Sequence, residues 1–221
     1  MSHGTPPDSG TAGVVVAAFD VDGTLTTRDC VRPFLERVAG RRGIVGALVR
    51  QPVATVIGGV RRDRDVIKEI VVGGVYRGRQ VTDLDALGHQ FAGVVEQSML
   101  RPDVVARMRW HQAVGHRTVI VSASLRSYLQ PLAASLGIDR AICTDVVSED
   151  GRYLDRLDGG NCRAGEKWAR LAAWLDGEGL RGAELWAYGD SRGDREMLAA
   201  AHHAVWVRGA TIDRVPAEIG S

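Results

Sequence analysis

The sequence is poor in several features that mark specialised classes of protein. Its 221 residues include three cysteines, Cys30, Cys143 and Cys162, whose spacing fits neither a disulfide framework nor a metal-binding pattern. Unpaired thiols are typical of the reducing cytoplasm, so we expect a cytoplasmic protein. We expect Cys30 and Cys162 to be small packing residues.

An excess of charge of either sign is also absent. The chain has 28 basic and 27 acidic residues, which leaves a formal net charge of +1. Because a basic surplus is the usual electrostatic sign of nucleic-acid binding, we expect no nucleic-acid partner. The six histidines show no metal-ligand spacing with acids or cysteines, and we assign them no role.

Long uninterrupted apolar runs are missing as well. The nearest approach to a membrane span, residues 43–60, contains Arg50, Gln51 and Pro52 and has arginines on both sides. We therefore expect helices there and no stable membrane insertion. An apolar segment with basic flanks would still permit peripheral contact with a membrane surface or an acyl chain.

What the sequence does contain is a set of polar side chains placed directly after predicted strands. Asp20 and Asp22 follow the apolar run Val14–Phe19, and Gly23 after them permits a sharp turn. Side chains two positions apart on an extended chain point the same way, so both acids can face one substrate atom.

Three further groups occur downstream at similar positions. They are Ser122, Ala123 and Ser124 after the strand Thr118–Val121, Lys167 near a helix start, and Asp190 and Asp194 after the strand Leu185–Tyr188. Taken singly, Ser122 could cap a helix, Lys167 could be solvated, and the two aspartates could be turn and N-cap acids. In open parallel sheets, however, ligands bind beyond the carboxyl ends of the strands, so all four groups can converge on one site.

The four motifs, in this order and spacing, resemble those of the haloacid dehalogenase superfamily, specifically the phosphatases of its phosphoserine phosphatase-like branch. The resemblance covers about residues 14–208 and implies an aspartyl-phosphate mechanism with Mg²⁺. Asp20 would be the nucleophile, and Asp22 would protonate the leaving oxygen and later deprotonate water. The phosphoryl oxygens would be held by Ser122, Lys167, Thr24 and the amide of Ala123. The metal would be held by Asp20, the main-chain carbonyl of Asp22 and Asp190, with Asp194 as a ligand or a neighbouring acid.

These residue types suit that chemistry. A phosphate monoester dianion repels an incoming carboxylate, so attack by Asp20 needs cations on the transferring oxygens. Magnesium prefers hard oxygen ligands and keeps several waters, so a few carboxylate and carbonyl oxygens suffice. One neighbouring acid can give a proton and then take one back in the two displacements. A phosphate-binding protein without catalysis would be expected to lack Asp20 or Asp22, and both are present.

The spacing of the motifs predicts the fold. About a hundred residues separate Asp22 from Ser122, far more than one crossover helix needs. We therefore predict an α/β protein with a doubly wound, Rossmann-like parallel sheet as its core and an inserted helical cap domain. The predicted division is a disordered leader at 1–13, a core at 14–27 and 101–221, and a cap at 28–100.

The predicted elements follow from hydrophobic periodicity. In the cap they are the helices Val31–Ala39, Gly43–Val60, Arg64–Val75 and Leu84–Leu100. In the core they are Val14–Phe19, Val104–Val114, Thr118–Val121, Leu125–Leu136, Ala141–Thr144, Ala164–Leu175, Leu185–Tyr188, Arg195–Ala201 and Ala204–Val207, with a hairpin at Val146–Leu157 that turns at Asp150 and Gly151.

The substrate is expected to be a small phosphorylated metabolite chosen by the cap. The chain departs from the phosphoserine phosphatases that it resembles, because it has Ser-Ala-Ser at the second motif and Asp29 where they carry a glutamate for the substrate ammonium. The candidates for their carboxylate-binding arginine are Arg61, Arg62, Arg64 and Lys68, for which a solvated basic turn is the preferred interpretation. Two alternatives stay open, a lipid phosphate phosphatase similar to phosphatidylglycerophosphatases and a phosphotransferase that uses an alcohol acceptor.

Overall fold

The computed structural model of the chain describes residues 13–50, 52, 56 and 64–207. The strands are β1 Val15–Phe19, β2 Arg117–Leu125, β3 Arg140–Glu149, β4 Arg152–Asp158, β5 Glu184–Gly189 and β6 His203–Trp206. The helices are α1 Val31–Arg50, α2 Arg64–Tyr76, α3 Val81–Ser98, α4 Pro102–Ala113, α5 Arg126–Ser135, α6 Gly165–Gly177 and α7 Arg195–Ala200, and a 3₁₀ turn spans Arg192–Asp194.

The strands form a six-stranded sheet in the order β4-β3-β2-β1-β5-β6. All neighbouring pairs are parallel except β3 and β4, which form an antiparallel hairpin. The chain moves outward from β1 through β2 and β3 and then crosses to β5 on the other side of β1. This reversal places the topological switch point between β1 and β5, where doubly wound sheets bind ligands. The predicted α/β fold is confirmed.

The sheet is covered on both faces, as a buried parallel sheet requires. Side chains of β1 alternate between two apolar clusters, with Ala17 and Phe19 on one face and Val16 and Ala18 on the other. The first cluster also contains residues of α3, α4 and α5, and the second contains residues of α6 and α7. Asp20 therefore directly follows a strand that is packed on both sides.

Three of the helices, α1 to α3, are inserted between β1 and β2 ahead of α4 and are called the inserted helices below. The two helices predicted at 31–39 and 43–60 are both present in α1 as far as Arg50, because Gly40 (φ 65°, ψ 171°) is not helical and divides α1 into two helical segments. Beyond Arg50 only residues 52 and 56 of that segment are described, so Arg61 and Arg62 lie outside the described residues. Among the helices that the structure describes, none combines the length and the apolar character that a membrane crossing needs. The division into core and cap at residues 27 and 101 stays a prediction.

The predicted end of β2 at Val121 was wrong. The strand continues to Leu125, with a shift of its pairing to β3 between Val121 and Leu125, and α5 begins only at Arg126. Ser122 is therefore an extended strand residue, which rules out the helix N-cap role. The hairpin is confirmed, although its first strand is continuous with the strand predicted at 141–144.

The hairpin also supports the inserted helices. The connection between α2 and α3 pairs with it through main-chain hydrogen bonds, from Gly78 N to Tyr153 O (2.8 Å) and from Val81 N to Gly151 O (2.9 Å). At Gly73 in α2, an added Cβ would lie 2.2 Å from the carbonyl oxygen of Asp155 in β4. Helix α2 thus lies directly against the backbone of β4.

Candidate active site

The carboxylate of Asp20 lies at the carboxyl end of β1, is buried, and is held on both oxygens. Lys167 Nζ lies 2.7 Å from Oδ1, and Thr24 Oγ1 donates a hydrogen bond to Oδ2 (3.2 Å). Burial raises the pKa of Asp20, the positive charge of Lys167 opposes this, and the charge of Asp194 adds to it. The structure therefore brings Asp20, Thr24 and Lys167 together as the sequence predicts.

Lys167 is in the first turn of α6 and is 2% exposed, so the solvated role is wrong. Its ammonium donates to Asp20 and also to Asp194 Oδ1. Burial alone would lower the pKa of Lys167, but the two carboxylates outweigh it and raise the pKa above its ordinary value. The ammonium is consequently charged at neutral pH and positioned next to Asp20.

Asp194 is fully buried and is fixed within its own turn. Its Oδ2 accepts hydrogen bonds from Ser191 N (2.9 Å) and Ser191 Oγ (2.8 Å), which completes a capping box at the 3₁₀ turn after β5. The capping role and the site role are compatible, because Oδ1 is left to face Lys167.

Asp190 follows β5 and approaches the turn after Asp20 closely. Gly23 has φ +88°, and a Cβ there would lie 2.2 Å from Asp190 Oδ2. Among the described residues, the buried Oδ1 of Asp190 has no hydrogen-bond partner. Burial, with the nearby charges of Asp20 and Asp194, raises the pKa of Asp190 to about 6.

These acids form a candidate cation site. One carboxylate oxygen from each of Asp20, Asp190 and Asp194 lies within 4.8 Å of the others. The Lys167 ammonium contacts two of the three carboxylates, those of Asp20 and Asp194, so negative charge stays in excess among the described residues of the cluster. Hard oxygen donors, one of them buried without a partner, fit Mg²⁺. The side chain of Asp22 is not part of the cluster, and the metal contact predicted for its main-chain carbonyl stays a prediction.

The Asp22 side chain is held separately from the three acids. Its Oδ2 accepts a hydrogen bond from Ser124 Oγ (2.5 Å) and its Oδ1 accepts one from Cys30 N (2.8 Å). Ser124 is itself the acceptor for Tyr128 OH (2.6 Å). Burial, followed by the charge of Asp20, raises the pKa of Asp22 to about 6. A carboxyl group with such a pKa can both donate and accept a proton near neutral pH.

Ser122 and Ala123 are positioned by the irregular end of β2. Ser122 is buried and its Oγ accepts a hydrogen bond from Ser124 N (3.1 Å). The carbonyl oxygen of Ala123 accepts a hydrogen bond from Lys68 Nζ. This end of β2 is therefore held by a hydrogen bond between its own residues and by one from Lys68 of the inserted helix α2.

Sequence reasoning missed several of these partners. The notable ones are Ser124 and Tyr128, which hold Asp22, and Asn161, which accepts a hydrogen bond from Lys68 Nζ at 2.6 Å. Strand alternation from Ser122 could have singled out Ser124, because both serines lie on the same face. Nothing in the local sequence identifies Asn161, since its partner is 93 residues away.

Lys68 is not part of a solvated basic turn. Besides Ala123 and Asn161, it lies 3.5 Å from Thr144 Oγ1, and burial lowers its pKa to about 8. Asn161 in turn donates to Asp65 Oδ1 (2.6 Å). Lys68 and Asp65 thus connect α2 to the sheet through a polar network.

Asp29 lies at the start of α1. Its carboxylate accepts hydrogen bonds from the main-chain N–H groups of Arg32 (3.0 Å) and Val31 (3.4 Å), which satisfies free donors of the first helical turn. Asp29, predicted to stand where the phosphoserine phosphatases carry a glutamate, thus caps a helix.

A cavity of about 840 Å³ opens between the inserted helices and the sheet, beside Asp22 and Ala123. Its walls are mainly apolar side chains of α1 and α2, and its full lining is Asp22, Asp29, Val31, Arg32, Leu35, Glu36, Arg41, Ile44, Val45, Asp65, Ile67, Lys68, Val71, Val72, Ala123, Asn161 and Arg163. Asp22, a predicted catalytic acid, and Ala123, a predicted phosphate-binding residue, therefore both line a large, mostly apolar space.

Comparison with known proteins agrees with this architecture. The family model of the haloacid dehalogenase-like hydrolases matches residues 17–199. The chain is 41% identical over 188 residues to Protein CicA of Caulobacter vibrioides (strain NA1000 / CB15N), a match that covers 85% of this chain and 83% of that protein. It is 24% identical over 206 residues to a probable phosphatase of Mycobacterium tuberculosis (strain H37Rv), which covers 91% of this chain and 70% of that protein.

Solved structures show the same fold. A protein of unknown function from Bordetella pertussis Tohama I is similar with a TM-score of 0.68 and 27% identity, over 85% of this chain and 87% of that one. A substrate-bound phosphoserine phosphatase is similar with a TM-score of 0.58 and 15% identity, over 85% and 83% of the two chains.

The chain belongs to the haloacid dehalogenase-like hydrolases. The predicted family is confirmed, and phosphoserine phosphatases are among its neighbours in fold, as the predicted branch requires. The prediction of a hydrolytic enzyme is confirmed as well, and the phosphatase among its relatives supports a phosphatase.

Proposed function

We propose that the protein is a Mg²⁺-dependent phosphomonoester hydrolase that acts through an aspartyl-phosphate intermediate on Asp20. The observation that carries the proposal is the paired arrangement of two buried acids after β1. Asp20 is held by Lys167 and Thr24, whereas Asp22, two residues later, is held by Ser124 and the amide of Cys30. Two neighbouring carboxyl groups in different surroundings are suited to different roles.

In the first displacement, a carboxylate oxygen of Asp20 forms a bond to phosphorus while the bond from phosphorus to the leaving oxygen breaks. The carboxyl proton of Asp22 passes to the leaving oxygen, so the product leaves as a neutral alcohol. The raised pKa of Asp22, about 6, favours the protonated form that this step needs.

In the second displacement, Asp22 is a carboxylate and takes a proton from the attacking water. The new oxygen–phosphorus bond forms as the bond between phosphorus and Asp20 breaks, which releases inorganic phosphate and regenerates the Asp20 carboxylate. The same group thereby serves as acid and then as base.

The remaining polar groups stabilise charge on the phosphoryl oxygens. The ammonium of Lys167, the hydroxyls of Ser122 and Thr24 and the amide of Ala123 are the proposed donors. Asp20, Asp190 and the main-chain carbonyl of Asp22 are the proposed ligands of Mg²⁺, and Asp194 supports them through Lys167. Bound Mg²⁺ would neutralise negative charge on the transferring group.

The decisive experiment replaces the nucleophile. We expect Asp20→Asn to lose at least about 10³-fold in phosphate release from p-nitrophenyl phosphate, because the amide is a far weaker nucleophile and no covalent intermediate forms. The matched control is Asp29→Asn, which changes a nearby acid that caps α1. Chelation of divalent cations is expected to abolish activity, and added Mg²⁺ to restore it. Full turnover by mass-verified Asp20→Asn protein would contradict the proposal.

The acceptor and the substrate belong to the same proposal. Water is the proposed acceptor and a phosphorylated small molecule the proposed substrate, with support from the relative named as a probable phosphatase. Transfer to an alcohol would use the same intermediate, and comparison of free phosphate with phosphorylated alcohol distinguishes the two. The cytoplasmic location expected from the unpaired cysteines stays a prediction.

A further inference from the structure

The size and the chemistry of the cavity beside Asp22 constrain the leaving group. Its volume of about 840 Å³ is in the upper part of the range for small-molecule sites, about 300–1,000 Å³. An amino-acid leaving group would fill only a small part of it. The walls are built by apolar side chains of α1 and α2, namely Val31, Leu35, Ile44, Val45, Ile67, Val71 and Val72.

The polar side chains of the cavity are largely engaged by the protein itself. Asp29 caps α1, and Lys68 is bound to the carbonyl of Ala123 and to Asn161. Phosphoserine would require an acid for its ammonium and a cation for its carboxylate, and these two candidates already have partners. The side chains of Arg32 and Arg41 are exposed, and their Nε atoms lie 3.0 and 3.6 Å from Glu36 Oε1.

The entrance of the cavity includes an apolar residue. Val45 lines the cavity and is 56% exposed, so it faces both the interior and the solvent. Val49, one turn later in the same helix, is 70% exposed and does not line the cavity. Apolar side chains of α1 therefore reach from its exposed surface into the cavity that Asp22 also lines, beside the exposed charged side chains of Arg32 and Arg41.

We propose that the substrate is a phosphomonoester whose leaving group carries a hydrocarbon chain, and that this chain occupies the cavity between α1, α2 and the sheet. The inference rests on the proposed function, because it takes the cavity end at Asp22 and Ala123 as the position of the scissile bond. Burying methylene groups there stabilises the complex with no need for charged partners.

The test is a series of substrates that differ only in chain length. Ethyl, hexyl and decyl phosphate are compared with phosphoserine and p-nitrophenyl phosphate, each below the concentration at which it aggregates. We expect KM to fall about two- to fourfold per added methylene until the cavity is filled. We expect phosphoserine to be the poorer substrate, although Arg163 also lines the cavity and would be the remaining partner for its carboxylate.

Two matched variants separate the cavity from the surface. Val45→Asp places a charge at the entrance, and we expect it to raise KM for decyl phosphate at least about tenfold more than KM for ethyl phosphate. Val49→Asp makes the same change one turn away, outside the cavity, and is expected to leave both values unchanged. Ile67→Asp, in the wall provided by α2, is expected to act like Val45→Asp, and circular dichroism verifies folding of all three.

A second comparison distinguishes a substrate that is free in solution from one that is held in a membrane. Decyl phosphate free in solution is compared with a long-chain phosphomonoester held in phosphatidylcholine vesicles, with phosphate release as the readout. Chain-dependent turnover in either arm supports the inference, and the faster arm identifies the source.

Failure of this inference is separable from failure of the proposed function. The proposal of a hydrocarbon-chain substrate is overturned if KM does not change with chain length or if phosphoserine is preferred. In that case, Asp20-dependent hydrolysis of p-nitrophenyl phosphate leaves the proposed function intact. Absence of hydrolysis for every compound, with no phosphate on Asp20, overturns both.

Discussion

At the scale of single residues, the site depends on the close approach of Gly23 to Asp190. Two turns from different strands meet here, and the side chain of Asp190 occupies the volume that a Cβ on residue 23 would need. The positive φ of Gly23 adds a second reason for glycine. One position thus controls both the path of the chain after Asp20 and the placement of a proposed metal ligand.

We predict that Gly23→Ala abolishes most activity and weakens Mg²⁺ binding. The added methyl group would lie 2.2 Å from Asp190 Oδ2, so the carboxylate must move out of the cluster. Phosphate release at increasing Mg²⁺ concentration measures both effects.

Gly78→Ala is the matched control for this prediction. Gly78 also has a positive φ, +75°, but a Cβ there meets no atom within 4 Å among the described residues. It should show only the backbone strain, about 1–2 kcal/mol in stability, with normal activity. Equal activity of the two variants would show that the contact with Asp190 has no role.

The sequence predicts the acids of the site well and their supporting partners poorly. Asp20, Lys167 and Asp194 could be predicted to meet because each follows a turn at the same edge of a parallel sheet. Asn161 and Lys68 could not, because their hydrogen bonds depend on how α2 lies on the sheet. Packing between distant segments leaves no periodic pattern in the sequence.

At the scale of secondary-structure elements, α3 and α5 are packed backbone against backbone at Gly88. A Cβ on Gly88 would lie 1.8 Å from the carbonyl oxygen of Ser127. Nearby, Phe34 of α1 contacts Phe91 of α3 and Tyr128 of α5, with ring centroids 5.4 and 4.9 Å apart. Because Tyr128 also donates to Ser124, this packing leads directly to the partner of Asp22.

We predict that Gly88→Ala destabilises the protein by about 1–3 kcal/mol, because α3 must move away from α5 to accept the methyl group. Activity should fall as well, through displacement of Tyr128. Chemical denaturation and phosphate release measure the two effects.

The control is Gly93→Ala in the same helix, where a Cβ meets no atom within 4 Å among the described residues. Alanine is the better helix former, so this change should stabilise the protein by about 0.5–1 kcal/mol. A similar gain in Gly88→Ala would refute the close packing.

Some of the secondary-structure elements can be predicted from the sequence and others cannot. The apolar runs predict the strands, and the Asp150-Gly151 pair predicts the turn of the β3–β4 hairpin. Both of these turn residues have a positive φ. The end of β2 was misjudged because Ser122 and Ser124 are small hydroxyl residues that suit a turn or a helix start equally well. Their actual conformation depends on the pairing with β3 and on Asp22, which are both distant in sequence.

At the scale of the whole molecule, a buried histidine links α4 to the centre of the sheet. His111 is fully buried, with Nε2 2.8 Å from Tyr188 OH in β5 and Nδ1 2.8 Å from His116 Nδ1. Burial, followed by the neighbouring His116 and Arg107, lowers the pKa of His111 to about 3. The folded protein therefore keeps this ring neutral at pH values where an unfolded chain would protonate it.

The consequence is a loss of stability in acid. An unfolded histidine has a pKa of about 6.5, so between pH 6.5 and 3 the unfolded state binds more protons and folding weakens as the pH falls. We predict that His111 accounts for about 2 kcal/mol of stability lost between pH 7 and pH 5. Denaturant unfolding at a series of pH values measures it.

A variant comparison isolates this contribution from that of the carboxylates. His111→Gln can keep a hydrogen bond to Tyr188 and should flatten the pH dependence, whereas replacement of the exposed His89 by glutamine should not. Identical slopes for the wild-type protein and His111→Gln would exclude the buried histidine as the cause.

The pairing of residues 78–81 with the hairpin has an evolutionary consequence. Strand β4 is at the edge of the sheet, and the connection between α2 and α3 supplies hydrogen bonds that an open edge would lack. A different insert, exchanged from another lineage, would leave that edge bare unless it brought an equivalent connection. An exchange of the insert would therefore have to bring a matching hairpin with it, although no residue of β4 lines the cavity beside Asp22.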